Sequence, residues 1–535
     1  MSAADANGHA QPPSDGSQSN WRPAGNPWLI AIVVTLAAFM EVLDTTIVNV
    51  ALPHIAGSLS SSPDDATWTL TSYLVANGIV LTISGWLGAV IGRKRYFLIC
   101  IAMFTVCSLL CGLAQSLPQL IVFRLLQGFF GGGLQPNQQA IVVDSFEPQK
   151  RGAAFAITAI ATVVAPVLGP VLGGFITDNA SWRWIFFINI PVGIFACLAV
   201  AALVDDPPWA VKQKRSVDYI GLGLITLGLG CMQVMMDRGE DEGWFQSPFI
   251  VHMTILAVLG IAGAVLWLLI AKKPVVNLRV FKDRNFAVSC GLIMGMSFIL
   301  YGAAVLIPQF AQTTIGYTAT LAGLVLAPGG VVIILLIPPV GRLMKVVQLR
   351  YLIAVGFAIM MLAFWYSNRL VPSIDFSTLT TMRGLQTAGL GFLFVPISIM
   401  AYHSLPKSLG ADASSLFVMF RNVSGSVGIS VSTAIVSERT QASQAHLSTW
   451  LTPFNQSFNE LVAKNEAALR SLGRTASTLH ETAIGYAFQT LKQQAAILAY
   501  GDTFMYFAVL AAAMIPLAMF LSPVKDGGHA SAPMH

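Results

Sequence analysis

The sequence is poor in charged residues, and this shortage excludes most classes of soluble protein. Only 10% of its 535 residues are Asp, Glu, Lys or Arg, whereas an average soluble domain has about 25%. So few charges cannot cover the surface of a soluble protein of this length. The net charge of +5 is small for the length and does not indicate nucleic-acid binding, so no nucleic-acid partner is expected.

Catalytic and metal-binding motifs are also missing. The six cysteines lie inside apolar stretches, without the spacing of a disulfide framework or a metal site. There is no phosphate-binding loop of the type Gly-x-x-x-x-Gly-Lys-Ser/Thr, no His-Glu-x-x-His pair and no recognisable Ser, His and Asp set. We therefore expect no catalytic residue, no cofactor and no metal, and we do not expect an enzyme.

Long apolar runs are what the sequence has instead. Hydrophobic residues make up 55% of it, and a helix needs about 20 consecutive apolar residues to cross a membrane. This rule predicts an all-α polytopic membrane protein with fourteen transmembrane helices. Their approximate bounds are 28–50, 67–91, 96–115, 118–138, 152–177, 183–204, 217–236, 249–271, 286–311, 320–341, 350–367, 378–402, 412–436 and 502–521.

The short connectors between these spans alternate in charge. With the N-terminus inside, the inner connectors hold seventeen Lys and Arg residues, whereas the short outer connectors hold three. Basic connectors stay on the cytoplasmic side during insertion, so both termini are predicted to be cytoplasmic. The polar residues 1–26 have no charged n-region of a cleavable signal and are interpreted as a disordered tail.

A weak internal repeat divides the chain. The inner turn after the second span has Gly85, Gly92, Arg93 and Lys94, and a similar pattern begins at Gly341 after the tenth span. Both copies lie between the second and third helices of a six-helix unit, which predicts two parallel repeats of the kind found in transporters. The predicted parts are a tail at 1–26, a six-helix half at 27–205, a two-helix insert at 206–273, a second half at 274–523 and a cytoplasmic tail at 524–535.

One outer connector, 438–500, is much longer than the others. It is polar and rich in Ala and Gln, and its leucines recur with helical spacing. We expect it to form helices that project into or lie along the outer compartment. Two interpretations stay open, namely a tolerated insertion and a docking surface for an outer partner.

Ionisable residues inside spans are costly, so they usually face a polar interior and have a function there. The first span carries Glu41 and Asp44, followed by Thr45 and Asn49. Helical spacing places Glu41, Thr45 and Asn49 on one drifting stripe with Asp44 beside it, so both carboxylates can face one cavity. Two such acids disfavour each other's ionisation and can exchange a proton near physiological pH. A fixed ion pair or helix contact is the alternative.

The fourth span adds Arg124, a candidate positive neighbour for these acids or a structural clamp on nearby carbonyls. Arg383 and Arg421, in the twelfth and thirteenth spans, are either counter-charges or helix-packing residues. Further polar residues of the fourth span complete the candidates for a substrate cavity. These are Gln127, Gln135, Asn137 and Gln138.

The fifth span is rich in glycine and proline. Gly169 and Gly173 create a face that allows close approach of another helix, while Pro166 and Pro170 remove backbone donors and permit a bend. Together with Gly174, these residues suit a gate, and close packing without gating is the alternative.

Four segments of the chain match motifs of a known family. They are 43–53 in the first span, 124–128 in the fourth, 169–174 in the fifth and 182–191 at the start of the sixth. In these segments the chain resembles the major facilitator superfamily, specifically its fourteen-span drug:proton antiporters of the EmrB/QacA type. The resemblance implies a major facilitator fold, with Asp44 and Arg124 as the proton-linked pair and the fifth-span motif as an antiporter motif.

The resemblance also implies a function and partners. It implies proton-coupled export of amphipathic or aromatic drugs or toxic compounds across the cell inner membrane by alternating access. It further implies a hydrophobic small-molecule substrate, protons and lipid as partners, and a periplasmic adaptor and an outer-membrane channel that complete a tripartite system. Ala89 stands where the family usually has an Asp, so the latch assigned to that Asp is in doubt here. Glu41 is not part of the shared motif.

Two other functions remain open. A dedicated exporter of one siderophore, lipid or aromatic acid would have the same fold. The other is a membrane enzyme or a non-transporting scaffold for the outer connector. Transport that does not respond to uncouplers would favour it.

Overall fold

The structure, a computed structural model, describes residues 23, 25–147, 150–206, 218–240, 242–272, 274–371, 374–406, 409–452, 454–471 and 479–523. The expected tail at 524–535 and nearly all of the expected tail at 1–26 lie outside these residues. Over the described ranges the chain is helical and contains no β-strand, as the apolar runs predict.

Over the described residues, the first half of the chain and the insert contain ten helices. These are α1 (Pro27–Ser58), α2 (Pro63–Ile91), α3 (Arg93–Leu113), α4 (Leu117–Gly131), α5 (Leu134–Ser145), α6 (Arg151–Asn179), α7 (Trp184–Phe187), α8 (Asn189–Leu203), α9 (Tyr219–Arg238) and α10 (Pro248–Ile270). A short 3-10 turn, Trp244–Gln246, separates the two helices of the insert.

The second half follows after a 3-10 turn, Leu278–Lys282. Its helices are α11 (Arg284–Phe310), α12 (Ala319–Leu343), α13 (Leu349–Ser367), α14 (Phe376–Gly391), α15 (Phe394–His403), α16 (Gly410–Ser448), α17 (Gln456–Ser471) and α18 (Leu479–Met519). A π-helical turn, Ala311–Ile315, extends α11.

Each of the fourteen predicted spans coincides with one helix or with two consecutive helices. Eleven of these segments are long and apolar enough to cross a membrane, which makes the protein a multi-pass membrane protein. The fourth, fifth and thirteenth predicted spans are helical but fall outside those eleven. The fourth is the pair α4 and α5, which carries Arg124 and a row of amide side chains.

Helix starts follow from residues that satisfy the free backbone N–H groups of a first turn. The side chain of Asn26 accepts a hydrogen bond from the backbone N–H of Trp28 at the start of α1. Asp283 caps α11 and Thr318 caps α12 in the same manner. Pro27 occupies the first position of α1, where its missing N–H costs nothing.

The insert packs against both halves. Arg238, at the end of α9, donates to the hydroxyl of Thr67 on α2 over 2.7 Å. Gln233, on the same helix, donates to the hydroxyl of Ser426 on α16 over 2.5 Å. The insert therefore connects α2 of the first half to α16 of the second.

Two helices of the second half are much longer than a membrane requires. α16 has 39 residues and α18 has 41, which at 1.5 Å per residue makes α18 about 60 Å long, twice the thickness of a hydrocarbon core. α17 packs on α18 through a small apolar cluster of its own. That cluster is Val462, Leu469, Leu479, Ala483 and Ala487. The connector at 438–500 is thus helical over most of its described residues.

Candidate functional site

The centre of the first half contains an ion pair with no access to solvent. Nη1 of Arg124 lies 2.5 Å from Oδ2 of Asp44, and the side chains of both residues are 0% exposed. Asp44 comes from α1 and Arg124 from α4, so the pair connects the first span to the fourth. Taking both charges out of water is costly and requires further hydrogen bonds to their remaining polar atoms.

The hydrogen bonds to the second carboxylate oxygen of Asp44 meet part of that requirement. Its Oδ1 accepts from Nδ2 of Asn189 over 2.8 Å and from Nε2 of Gln127 over 3.1 Å. Nε of Arg124 donates to the backbone carbonyl of Thr69 over 3.2 Å. The pair is therefore held by groups from three helices, α2, α4 and α8.

Glu41 lies one turn earlier on α1 in a second network made of neutral donors. Its Oε1 accepts from Nδ2 of Asn77 over 2.9 Å and from the hydroxyl of Tyr73 over 3.3 Å, and its Oε2 accepts from Nε2 of Gln135. Glu41 is 1% exposed. Within the described residues no cation lies within ion-pair distance of this carboxylate, so its environment differs from that of Asp44.

Tyr73 lies between the two networks. Its hydroxyl reaches Glu41, and the guanidinium of Arg124 lies over its ring, 4.1 Å from the centroid. We expected both carboxylates to face one cavity, whereas the structure places them in two adjoining networks. Three residues along a helix amount to a rotation of about 60°, which directs the two side chains to different neighbours.

The other half of the molecule approaches Glu41 through α16. This helix packs against α2 and α5, which carry the donors to Glu41. Arg421 on α16 is 1% exposed and interacts electrostatically with Glu41 and with Tyr301. Its Nε donates to the amide oxygen of its neighbour Asn422 over 3.3 Å. Arg421 is thus a buried cation of the second half whose charge acts on Glu41 of the first.

Two further polar candidates of the fourth span hold helices together. Asn137 donates to the hydroxyl of Ser84 over 2.9 Å, and Gln138 donates to Thr35 and Thr158 over 3.1 and 2.8 Å. Their role as substrate contacts stays a prediction.

The predicted polar stripe on α1 does not continue past Glu41 as a single network. The hydroxyl of Thr45 donates to the carbonyl of Val42 in its own helix, and Asn49 is exposed. Eight residues along a helix amount to a rotation of about 80° beyond two full turns, which takes Asn49 away from the face of Glu41. Whether Thr45 and Asn49 contact a substrate stays a prediction.

The glycine face of the fifth span is in close contact with α1. A Cβ at Gly173 would lie 2.8 Å from the carbonyl oxygen of Ile47, and one at Gly169 would collide with the side chain of Thr46. Gly174 is buried and Pro170 is half-buried, while the side chain of Pro166 lies outside the described residues. Close approach of α6 to α1 is therefore present, and the gating function stays a prediction.

The inner loop motif forms charge contacts although it lacks the family Asp. Arg93 makes an ion pair with Asp144 at the end of α5, and the backbone N–H of Lys94 donates to the carboxylate of Asp206 over 2.8 Å. Gly92 has a φ of +99°, a conformation that favours glycine, and it separates α2 from α3. Gly85 is buried on α2.

The sequence reasoning missed two partners of Glu41, namely Tyr73 and Asn77. They are four residues apart on α2 and therefore share one face of that span. That spacing of two hydrogen-bonding side chains was the available signal. Asp144, the partner of Arg93, was missed because it lies at the end of a span, where acids are common.

Comparisons with known proteins agree with this arrangement. The family model of the Major Facilitator Superfamily matches residues 34–429. Multidrug export protein EmrB of Escherichia coli strain K12 is 35% identical over 502 residues, which cover 94% of this chain and 96% of that protein. Fatty acid resistance protein FarB of Neisseria gonorrhoeae is 34% identical over 522 residues, covering 97% of this chain and 99% of the relative.

A solved structure shows the same fold. A double-tryptophan mutant of XylE has a TM-score of 0.59 at 12% sequence identity, with 93% of this chain and 96% of that chain covered. The match over most of the chain, in sequence and in fold, means that this chain belongs to the Major Facilitator Superfamily and, within it, to the family of the EmrB multidrug export proteins.

Proposed function

We propose that this protein exports amphipathic compounds across the cytoplasmic membrane in exchange for protons, by alternating access of its two halves. The observation that carries the proposal is the solvent-free ion pair between Asp44 and Arg124. An acid in this position changes its partners when it takes up a proton, because a neutral carboxyl group no longer balances the charge of the arginine. The names of the EmrB relatives support export as the direction.

The coupling step follows from the contacts of Asp44. Protonation of Asp44 weakens its bonds to Arg124 on α4 and to Asn189 on α8. It therefore loosens α1 from the helices around it, including the glycine face of α6. Glu41 provides a second acid beside the boundary with α16, where a change of its charge alters the attraction to Arg421. Deprotonation toward the cytoplasm restores both networks and returns the carrier.

Proton exchange is tested on the purified protein in liposomes that contain a trapped pH indicator. Addition of a hydrophobic cation such as ethidium to the cytoplasmic face is expected to release protons on that face, and a protonophore is expected to abolish uphill accumulation. Substrate movement that continues against a gradient in the presence of the protonophore would contradict the proposal.

We further propose that the protein works in the inner membrane, with both termini in the cytoplasm and α17 on the outer side, where it meets a periplasmic adaptor and an outer-membrane channel. The distribution of basic residues supports the orientation. The turn between α16 and α17 supports the partnership, because it carries large apolar side chains that are exposed. Trp450 is 61% exposed and Phe454 is 98% exposed.

Replacing both aromatic residues, with Trp450→Ser and Phe454→Ser in one variant, is expected to lower drug resistance of whole cells at least tenfold. Transport by the same variant in isolated vesicles is expected to match that of the unchanged protein, since neither side chain supports the membrane helices. Tyr486→Ser on α18, 48% exposed, is the matched control. Loss of vesicle transport would mean that the outer aromatics serve the carrier itself.

A dedicated exporter of one lipid-like acid is the second candidate. The similarity to FarB, a protein named for fatty acid resistance, favours it. A resistance screen with unrelated compounds distinguishes the two candidates, because a dedicated exporter protects against a single chemical class.

A further inference from the structure

The two-helix insert carries polar side chains where it meets the rest of the protein. Gln233 and Arg238 on α9 are 8% and 7% exposed, and Asp237 lies between them in the sequence. Polar side chains buried beside a membrane are costly unless they are hydrogen-bonded, and within spans they usually have a function. A helix that only filled space in the lipid would not need them, so their contacts indicate what the insert does.

One side of α9 is attached to the first half. A Cβ at Gly230 would lie 3.7 Å from the side chain of Ile79 on α2. At the end of α9, Arg238 donates to Thr67 over 2.7 Å, and its guanidinium lies 5.3 Å from the centroid of the Trp68 ring. These contacts follow α2 from residue 67 to residue 79, which is about 18 Å of helix. We therefore expect α9 to move with the first half.

The contact of α9 with the second half is smaller. α9 packs less extensively on α16 than on α2, and Nε2 of Gln233 donates to the hydroxyl of Ser426 on α16 over 2.5 Å. The same Nε2 donates to Oδ1 of Asp237 in its own helix over 3.0 Å, which holds the amide group in place. Of the two attachments of α9, the one to α16 is therefore the easier to release.

This bridge between the halves belongs to the outer half of the membrane in the proposed orientation. There α2 begins and α9 ends on the outer side. Ser426 lies beyond the midpoint of the predicted span 412–436, and Gln233 lies in the outer part of α9. α2 and α16 also contact each other directly. Because α2 belongs to one half and α16 to the other, opening of the outer side separates them next to the insert.

We propose that the insert is a clamp that holds the outer side of the carrier closed, and that the bond between Gln233 and Ser426 is the contact released when this side opens. The inference rests on the alternating access of the proposed function and adds a role for the insert. A hydrogen bond between membrane helices shifts an equilibrium about three- to fivefold. A contact of this strength favours the closed side and still opens in every cycle.

Hydrogen–deuterium exchange of the full chain in nanodiscs, measured by mass spectrometry, tests the clamp. Ser426→Ala removes the acceptor on α16, while α9 keeps its contacts with α2. Backbone amides of α2 between 67 and 79 are expected to exchange about threefold faster, because the outward-open state is more populated. Ser430→Ala, the same change one turn farther along α16, leaves the bond in place and should exchange like the unchanged chain.

Exchange at the inner side distinguishes release of the clamp from a loss of stability. There α15 meets α5 through the hydrogen bond from the hydroxyl of Tyr402 to Oε1 of Gln139 over 2.9 Å. Amides of both helices are expected to exchange more slowly in Ser426→Ala, because a carrier that opens outward more often opens inward less often. Faster exchange at both sides would mean general destabilisation and would overturn the proposal, as would unchanged exchange at the outer side.

A second variant tests the pairing of the two residues. Gln233→Leu has nearly the same size as the native residue and is expected to raise outer exchange at least as much as Ser426→Ala does. Adding Ser426→Ala to it should have no further effect, since the partner is already gone. A further increase would show that Ser426 acts without Gln233 and would refute the pairing. These measurements need no substrate and no proton gradient, so the clamp can fail while proton-coupled export stands, and the reverse.

Discussion

Asp44→Asn is expected to abolish uphill export while leaving downhill movement of substrate intact. An inward proton across 100 mV supplies about 2.3 kcal/mol, which sustains a gradient of an uncharged substrate of about 50-fold. Asparagine resembles the protonated acid in shape and charge, so the variant cannot exchange protons at this position. Its substrate gradient should therefore fall to unity in proteoliposomes energised by a membrane potential.

The same preparation provides the controls. Downhill counterflow of labelled substrate should persist in the Asp44→Asn protein, since in this exchange the carrier returns loaded with substrate and does not need the charge of Asp44. Asp502→Asn, the same change at an exposed acid on α18, should accumulate substrate like the unchanged protein. A substrate gradient maintained by Asp44→Asn would remove Asp44 from the coupling mechanism.

The same measurement distinguishes the role of Glu41 from that of Asp44. The Glu41→Gln protein retains the ion pair of Arg124, so a remaining gradient in this variant would assign the driving proton to Asp44 alone. The hydrogen-bond donors to Glu41 are neutral, whereas Asp44 forms an ion pair with Arg124, which gives the two acids different responses although they lie one turn apart. Comparison of the substrate gradients of the two variants shows whether one or two protons drive each transport cycle.

The positions of the helices could be predicted from sequence because apolar length sets them almost alone. Lipid as solvent demands helices with satisfied backbone groups, and caps such as Asn26 and Asp283 fix where they begin. The breaks at Gly132 in the fourth span and at Ile188 in the sixth were not predicted. They depend on local packing between helices rather than on hydropathy.

Partners across helices were harder to predict than the acids themselves. The cost of burying Asp44 and Arg124 marked both residues, and the motif resemblance paired them. Tyr73 and Asn77 escaped because their contact with Glu41 depends on how α1 and α2 are rotated about their axes. The residue pattern of one helix does not determine that rotation.

Arg124→Gln is expected to destabilise the protein by about 3–5 kcal/mol, because it leaves the carboxylate of Asp44 buried without its cation. Asp44→Asn alone should cost a similar amount, since it leaves the guanidinium unpaired. The double variant, with Asn at 44 and Gln at 124, removes both charges and should recover most of the lost free energy of unfolding. Unfolding of the purified variants by urea in detergent gives the three values.

The two single variants and the double variant form a double-mutant cycle, which distinguishes a coupling pair from a purely structural one. A purely structural pair predicts that the double variant, once stable, accumulates substrate against a gradient. We expect it to be stable and inactive in uphill export, because stability needs only that no charge is left alone, while coupling needs an acid that exchanges its proton. Independent, additive losses of stability in the two single variants would show that Asp44 and Arg124 do not act as a pair.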